Sequence, residues 1–293
     1  MIKASLIVPI YNEEENIPYL LDELVEFVRA HDFDAILVDD GSSDRTSILL
    51  GGVKNKRIRV VTHDFNKGVG AAIKTGIRCC QSDYCVTMDA DGQHKLPDVE
   101  KLIHTVVNDH CELVVGERVS TKPSGWYRRL GKSFIKLFTM LLLKKKVNDL
   151  NSGLRLFYVP LAKKYLPFLP DGFSFCEVSS ILYLYQHHMV ATVPVEAAPR
   201  RRGRSTVSTK HAFEAIIEII NVFMLFSPMR IFLPVSVFLV FLGVAWGLPY
   251  FLTGHGLSVG ALLFINTGVL AFFFGLVAEQ LSRIRKSLSG ISD

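Results

Sequence analysis

Ala4-Ser5-Leu6-Ile7-Val8-Pro9-Ile10-Tyr11-Asn12-Glu13 and Ala35-Ile36-Leu37-Val38-Asp39-Asp40-Gly41-Ser42-Ser43-Asp44 are two apolar runs, each breaking into a polar turn. Between them Ile17, Leu20, Leu21, Leu24, Val25 and Val28 recur at helical spacing. The same alternation continues down the chain. Strand-like runs at Ile58–Thr62, Tyr84–Met88, Leu113–Gly116 and Ala191–Val195 join those at Ala4–Pro9 and Ala35–Val38. Helical patterns fill Thr46–Val53, Val69–Ile77 and Val99–Val107. Continuous Val/Ile runs separated by helices predict an α/β fold with a mostly parallel sheet and helices on both faces. Such sheets bind ligands beyond the carboxyl ends of their strands, which is where the polar turns fall.

Outward from this core the composition changes. The chain has 293 residues, 49% hydrophobic and 21% charged, with a mean hydropathy of +0.29 that is high for a soluble domain. The apolar excess sits after Met229. Ile231–Leu252 and Leu257–Ala278 carry no charge, and at 1.5 Å per residue each spans about 33 Å, enough for a hydrocarbon core of about 30 Å. The short link Thr253-Gly254-His255-Gly256 makes them a hairpin; a buried helix pair is the competing reading. Arg200, Arg201, Arg202, Arg204, Lys210 and Arg230 precede the hairpin, Arg283, Arg285 and Lys286 follow it, and its loop has neither Lys nor Arg. The positive-inside rule places both flanks and the bulk of the chain in the cytoplasm. Phe213–Met229 reads as a helix in the membrane interface or, equally, as a core helix of the soluble part.

Other features exclude alternatives. Cys79, Cys80, Cys85, Cys111 and Cys176 form no CxxC pair, so reduced thiols are expected rather than a disulfide scaffold or zinc ribbon. Leu6–Ile10 is too short for a signal-peptide core. His187-His188 reads as a helix end. Asn66-Lys67-Gly68-Val69-Gly70-Ala71-Ala72 is a truncated dinucleotide fingerprint at the third turn rather than the first; its small residues suit close approach of a helix N-terminus to a ligand or strand. Asp89-Ala90-Asp91-Gly92-Gln93-His94 offers two carboxylates at i and i+2, suited to one hard divalent cation. An EF-hand fails, because a strand precedes the loop and His94 replaces its glycine.

The order of these motifs carries more than any one of them. Pro9-x-Tyr11-Asn12-Glu13, Asp39-Asp40-Gly41-Ser42-x-Asp44, Asn66-x-Gly68-x-x-x-Ala72 and Asp89-Ala90-Asp91-x-Gln93 stand at successive strand ends. Together they resemble family 2 glycosyltransferases of the GT-A fold. Asp149-Leu150-Asn151-Ser152-Gly153-Leu154-Arg155 looks like that family's Asp-x-x-x-Gly-x-Arg segment. Glu177 and Pro199-Arg200-Arg201-Arg202-Gly203-Arg204-Ser205 look like the stretch closing the domain in polyprenyl-phosphate sugar transferases. With the hairpin, the resemblance covers essentially the whole chain and is similar to dolichyl-phosphate mannosyltransferases and undecaprenyl-phosphate glucosyltransferases. The Gln-x-x-Arg-Trp of processive synthases is missing; Gln280-Leu281-Ser282-Arg283-Ile284 is the nearest string.

The resemblance implies a division into a GT-A domain at 1–208, a juxtamembrane amphipathic helix at 209–229, two transmembrane helices at 230–282 and a basic cytoplasmic tail at 283–293. It implies an inverting hexosyltransferase in the inner, cytoplasmic membrane, multi-pass, with its catalytic domain in the cytoplasm. The donor is a nucleotide-diphosphate sugar, the acceptor a polyprenyl phosphate, and the cofactor Mg²⁺ or Mn²⁺. No nucleic-acid partner is expected, and a homo-oligomer is left open. Pro9, Tyr11, Glu13, Asp39, Asp40, Lys67, Asp89 and Arg202 would hold the donor, and Asp89, Asp91 and Gln93 the metal. A phosphate acceptor needs a cationic seat rather than a strong base; Arg118, Arg128, Arg129 and Lys132 are the candidates, against the reading that they face lipid headgroups. Asp149 is the candidate base or orients Arg155. The Arg200–Arg204 cluster serves topology, anionic lipid or the donor diphosphate. Two alternatives stay open: the same donor chemistry on a lipid hydroxyl such as a diacylglycerol, and a catalytically dead nucleotide-binding adaptor.

Overall fold

Ala4–Ile10 forms β1, buried at every residue, which explains why it reads as a continuous apolar run rather than an alternation. Leu6, Val8 and Ile10 share a core with Ile17, Leu20, Leu24 and Val28 of α1 (Ile17–Ala30) and with Leu96, Val99, Leu102 and Val106 of α4 (Leu96–Asp109). Ile7 points the other way, against Gly76 of α3 (Val69–Cys79). Both faces of the central strand are therefore covered. Truncating a fully buried core leucine such as Leu24 costs about 2–5 kcal/mol.

The computed structural model describes residues 3–119, 152–196, 198, 217–218, 220–221, 224 and 226–288. They belong to two units, Met1–Glu218 and Ile219–Asp293. In the first, β2 (Phe33–Asp39), β3 (Ile58–Thr62), β4 (Tyr84–Thr87), β5 (Leu113–Arg118), β6 (Arg155–Tyr158) and β7 (Val190–Val195) complete a sheet of order β3-β2-β1-β4-β6-β5-β7. Its helices include α2 (Thr46–Gly51), α5 (Val159–Tyr165) and α6 (Phe175–Tyr185). Pairing is parallel except at β6, which is antiparallel to both β4 and β5. The sequence reading lacked β6. Its four residues Arg155-Leu156-Phe157-Tyr158 are too few to show a period, and they open on an arginine.

That reversed strand matters for the site. The register pairs Ile10 with Asp39, Asp39 with Thr62, and Thr87 with Arg155. The carboxyl ends of β1, β2, β3 and β4 and the amino end of β6 thus meet at one end of the sheet. His187 ends α6 in the left-handed region, at φ 60°, and His188 Nε2 lies 2.7 Å from the Tyr165 hydroxyl, as expected of a helix end. All five cysteines are free.

In the second unit α7 (Met229–Leu252) and α8 (Val259–Leu288) form the hairpin. They interlock through glycine: a Cβ on Gly243 would stand 2.6 Å from Ile265, and one on Gly268 2.7 Å from Val240. Only 11% and 17% of their apolar windows are buried, with Phe241, Trp246 and Phe274 all exposed. A soluble-core helix pair would be mostly buried. α8 continues past Ala278 through Arg283, Arg285 and Lys286, so part of the basic tail is helical. Of the apolar stretch before the hairpin, residues 217–218, 220–221, 224 and 226 are helical, while 213–216 lie outside the described residues.

Candidate functional site

The turns after β1 and β2 are laced together by polar side chains. Asn12 adopts φ 52°; its N–H donates to Ser42 Oγ at 3.0 Å and its Oδ1 accepts the Ser43 N–H at 2.8 Å. The Glu13 N–H donates to Thr46 Oγ1 at 2.9 Å, and the Glu14 N–H to Asp44 Oδ2 at 3.2 Å. Glu14 in return accepts the Arg45 N–H at 3.0 Å. Burial alone would raise the Asp44 carboxyl, but the Thr46 hydroxyl and amide and the Glu14 amide outweigh it and hold the group below its ordinary range. Pro9 is buried in β1, Glu13 is half-buried, and Tyr11 stands exposed at the rim.

Asp39 and Asp40 are neighbours with different surroundings. Asp39 is wholly buried; its carboxylate accepts the Ser42 N–H at 3.0 Å and the Ser47 hydroxyl. Asp40 Oδ1 lies 2.7 Å from His63 Nδ1 and accepts the Lys67 N–H at 3.0 Å, while Oδ2 accepts the Gly68 N–H at 2.8 Å. A carboxylate only accepts, so His63 Nδ1 is the donor, and His63 Nε2 meets Thr75 Oγ1 at 2.9 Å. Asp40 therefore ties β2 to the start of α3. The Lys67 ammonium sits 5.2 Å from the Phe65 ring centroid, on a cleft of about 590 Å³ also lined by His63, Lys74, Arg78 and Asp171.

The small residues at the start of α3 let another backbone approach. Cβ atoms on Gly68 and Gly70 would stand 2.4 and 2.5 Å from the carbonyl oxygens of Asp171 and Pro170. The Ala71 N–H donates to the Asp171 carbonyl at 3.0 Å, and the buried Lys74 Nζ to Asp171 Oδ1 at 2.8 Å. The close partner of Gly68 and Gly70 is thus the loop before α6; sequence spacing cannot show a contact across so long an interval.

Beyond β4, Asp91 is buried and Asp89, Gln93 half-buried; Asp91 Oδ1 accepts the Gln93 N–H at 3.0 Å. Among the described residues no group of three or more His, Cys, Asp and Glu side chains could hold a metal alone. Two carboxylates and an amide oxygen nevertheless fit a hard cation that takes its remaining ligands from substrate phosphates and water, the usual arrangement for Mg²⁺. The Gln93 carbonyl accepts the Ala198 N–H at 2.9 Å, which brings the chain just ahead of the arginine cluster to this turn.

Arg155 is wholly buried at the start of β6, donating from Nε to the Ser152 carbonyl at 2.7 Å and from Nη1 to the hydroxyls of Ser180 and Ser179 at 2.6 and 3.3 Å. Burial pushes the nearby Cys176 thiol up to about 11; Arg155 opposes the rise, while the charges of Glu177 and Asp89 add to it. Arg155, Asp89 and Glu177 therefore share one neighbourhood that spacing alone did not reveal. Arg118 ends β5, half-buried, paired in register with Val195. β5 runs parallel to β4, so Arg118 leaves the sheet at the same end as Asp89. Arg128, Arg129, Lys132, Asp149, Arg202 and the rest of the Arg200–Arg204 cluster lie outside the described residues.

The glycosyl transferase family 2 profile matches residues 5–166, and the GtrB C-terminal hairpin profile matches 227–284. The chain is 30% identical over 190 residues to a dolichyl-phosphate beta-glucosyltransferase of Dictyostelium discoideum, covering 57% of this chain and 58% of that one; it thus spans under two thirds of that relative. It is 24% identical over 301 residues to an undecaprenyl-phosphate 4-deoxy-4-formamido-L-arabinose transferase of Proteus mirabilis, covering 96% of this chain and 89% of the relative. Among solved structures, glucosyl-3-phosphoglycerate synthase from Mycobacterium tuberculosis, in complex with Mn²⁺, UDP-glucose and phosphoglyceric acid, matches with a TM-score of 0.59. That match has 19% identity and covers 75% of this chain and 79% of the other. At that identity the likeness concerns the fold.

Proposed function

The chain belongs to glycosyl transferase family 2, and from that premise we propose that it moves a single hexose, with inversion, from a nucleotide-diphosphate sugar to a polyprenyl phosphate at the cytoplasmic face of a membrane. The observation that carries this reading is the pairing of modules. A family 2 domain with its carboxylates at one sheet end is joined to a GtrB-type hairpin, and a lipid-phosphate sugar transferase matches over 96% of the chain.

In this reading 1–208 is the catalytic domain, 209–229 a juxtamembrane helix, 230–282 the spanning hairpin and 283–293 the tail. The basic flanks and the uncharged hairpin loop support a cytoplasmic side for the catalytic domain. Asp39 and the Pro9–Glu13 turn, with Tyr11 at the rim, hold the nucleoside; Asp40 shapes the Lys67 loop. Asp89, Asp91 and Gln93 would hold Mg²⁺ or Mn²⁺, which when bound offsets charge on the leaving diphosphate. The Ala198 contact with Gln93 supports a place for Arg202 at that diphosphate. Arg118, Arg128, Arg129 and Lys132 seat the acceptor phosphate. Its oxygen attacks C1 of the sugar; the new C1–O bond forms as the bond to the diphosphate breaks, and the electron pair leaves with the diphosphate. The acceptor is already an anion, so no strong base is required.

Sugar transfer by purified full-length chain, with and without a divalent ion, tests this. Transfer that needs the ion and is lost in Asp91→Ala while the variant keeps its thermal midpoint supports the reading. Full, ion-independent activity of Asp91→Ala overturns it.

A further inference from the structure

Gly153 lies at the entrance to β6, and its backbone does not call for glycine: the left-handed glycines are Gly41, Gly68, Gly92, Gly254 and Gly256. What the position requires is the absence of a side chain. A Cβ on Gly153 would stand 2.3 Å from Oδ2, 2.6 Å from Oδ1 and 2.6 Å from Cγ of Asp89. All three nearest atoms belong to one carboxylate, and that carboxylate is one of the pair in the Asp89–Gln93 turn.

The Gly153 backbone is held in place from behind, so it is the carboxylate that an added Cβ would displace. Thr87 Oγ1 donates to the Gly153 carbonyl at 2.8 Å, and the Gly116 N–H to the Leu154 carbonyl at 2.9 Å. The Arg155 guanidinium grips the Ser152 carbonyl from inside the core and is itself held by Ser179 and Ser180. Burying a guanidinium is costly unless its donors are satisfied, so these acceptors make Arg155 a fixed strut rather than a mobile side chain. The Asp89 carboxylate rests against a wall that two strands and α6 hold in place.

We propose that Gly153 is a positioning residue for Asp89, seating its carboxylate against a bare Cα that the Arg155 strut holds still, so that the turn can bind a divalent cation together with a nucleoside diphosphate. This rests on the reading of the Asp89–Gln93 turn as a cation–diphosphate site. It predicts that a single methyl group, in a residue that touches neither cation nor nucleotide, weakens cation binding about ten- to hundredfold, as loss of a supporting contact does at metal sites.

The test is a titration of full-length protein with Mn²⁺ in the presence of UDP or GDP, followed by loss of the free-ion paramagnetic resonance signal. Gly153→Ala should weaken Mn²⁺ binding by that factor with little change in metal-free nucleotide binding. In an Asp89→Ala background, where the space is vacated, Gly153→Ala should add nothing. Wild-type affinity in Gly153→Ala, or an equal further loss in the double variant, overturns the proposal. If Gly153→Ala alone does not fold, folding of the double variant upholds Asp89 as the occupant, and its failure to fold overturns it. Wild-type protein that binds no Mn²⁺ with either nucleotide sinks the cation–diphosphate reading itself, and this proposal with it.

Discussion

Asp40→Asn should loosen the start of α3 without changing the shape of the site. The carboxylate receives three donors in a buried setting: His63 Nδ1 and the Lys67 N–H on Oδ1, and the Gly68 N–H on Oδ2. An amide has one acceptor oxygen. With that oxygen towards His63 and Lys67, its NH₂ faces the Gly68 N–H; flipped, it faces the other two donors. The better orientation loses one hydrogen bond to a charged group, worth about 1.5–3 kcal/mol, and leaves the part-buried Gly68 N–H unsatisfied, about 1 kcal/mol more. About 2.5 kcal/mol at the low end lowers the melting temperature of a domain this size by about 5–10 °C. Thermal unfolding of full-length protein in detergent measures this, with nucleotide affinity read alongside; both should fall, because the Lys67 loop loses its anchor. His63→Ala should cost less on the Asp40→Asn background than alone, since the two share one network. An Asp40→Asn protein with wild-type melting temperature and nucleotide affinity would refute the argument.

Arg118→Ala should cost about ten- to hundredfold in kcat/KM for the lipid acceptor, since a charge-assisted phosphate contact is worth about 1.5–3 kcal/mol, with nucleotide binding intact. Arg118→Lys should recover only part, lacking the planar fork; wild-type kinetics at moderate salt would make Arg118 a bystander. For topology, a cysteine placed at His255 should react with an impermeant reagent from the side opposite one placed at Gly290 in sealed vesicles; equal labelling from the cytoplasmic side contradicts a spanning hairpin. Asp44 gives an acid-range prediction. Its folded pKa lies below the unfolded value of about 3.9, so its stabilisation is complete above that value and fades as pH falls through the folded one. Melting temperature followed from pH 6 down to about 3 should fall more steeply in wild type than in Asp44→Asn, and parallel curves would discount the interaction.

Most of the strands, and the end of the sheet where the candidate site falls, were legible because buried parallel strands advertise themselves. β1 and β2 carry unbroken apolar runs, and their turns carry Asn12, Asp39 and Asp40. The hairpin was legible for the same reason, since two uncharged runs leave little else to be. β6 was not, because four residues set no period and its first residue is an arginine whose burial depends on distant serines. Nor could spacing show that Gly68 and Gly70 make room for the 170–171 backbone, or that Gly153 makes room for Asp89. Those are contacts between remote segments, and a sequence records the vacancy of a glycine without recording what occupies it. His63 had a local signal, its place directly after β3 beside the paired aspartates, but only the register made it a partner of Asp40.

The most direct test of the central claim is the chemical identity of the acceptor. Full-length protein in vesicles containing both a polyprenyl phosphate and diacylglycerol is given a panel of labelled UDP- and GDP-sugars, and the labelled lipid is analysed by mass. The account predicts one hexose joined to the polyprenyl phosphate by a phosphodiester, released by mild acid, with unlabelled diacylglycerol. Label in an acid-stable glycosyl diacylglycerol, lost in Asp149→Asn and kept when Arg118, Arg128 and Arg129 are each replaced by Ala, would contradict it.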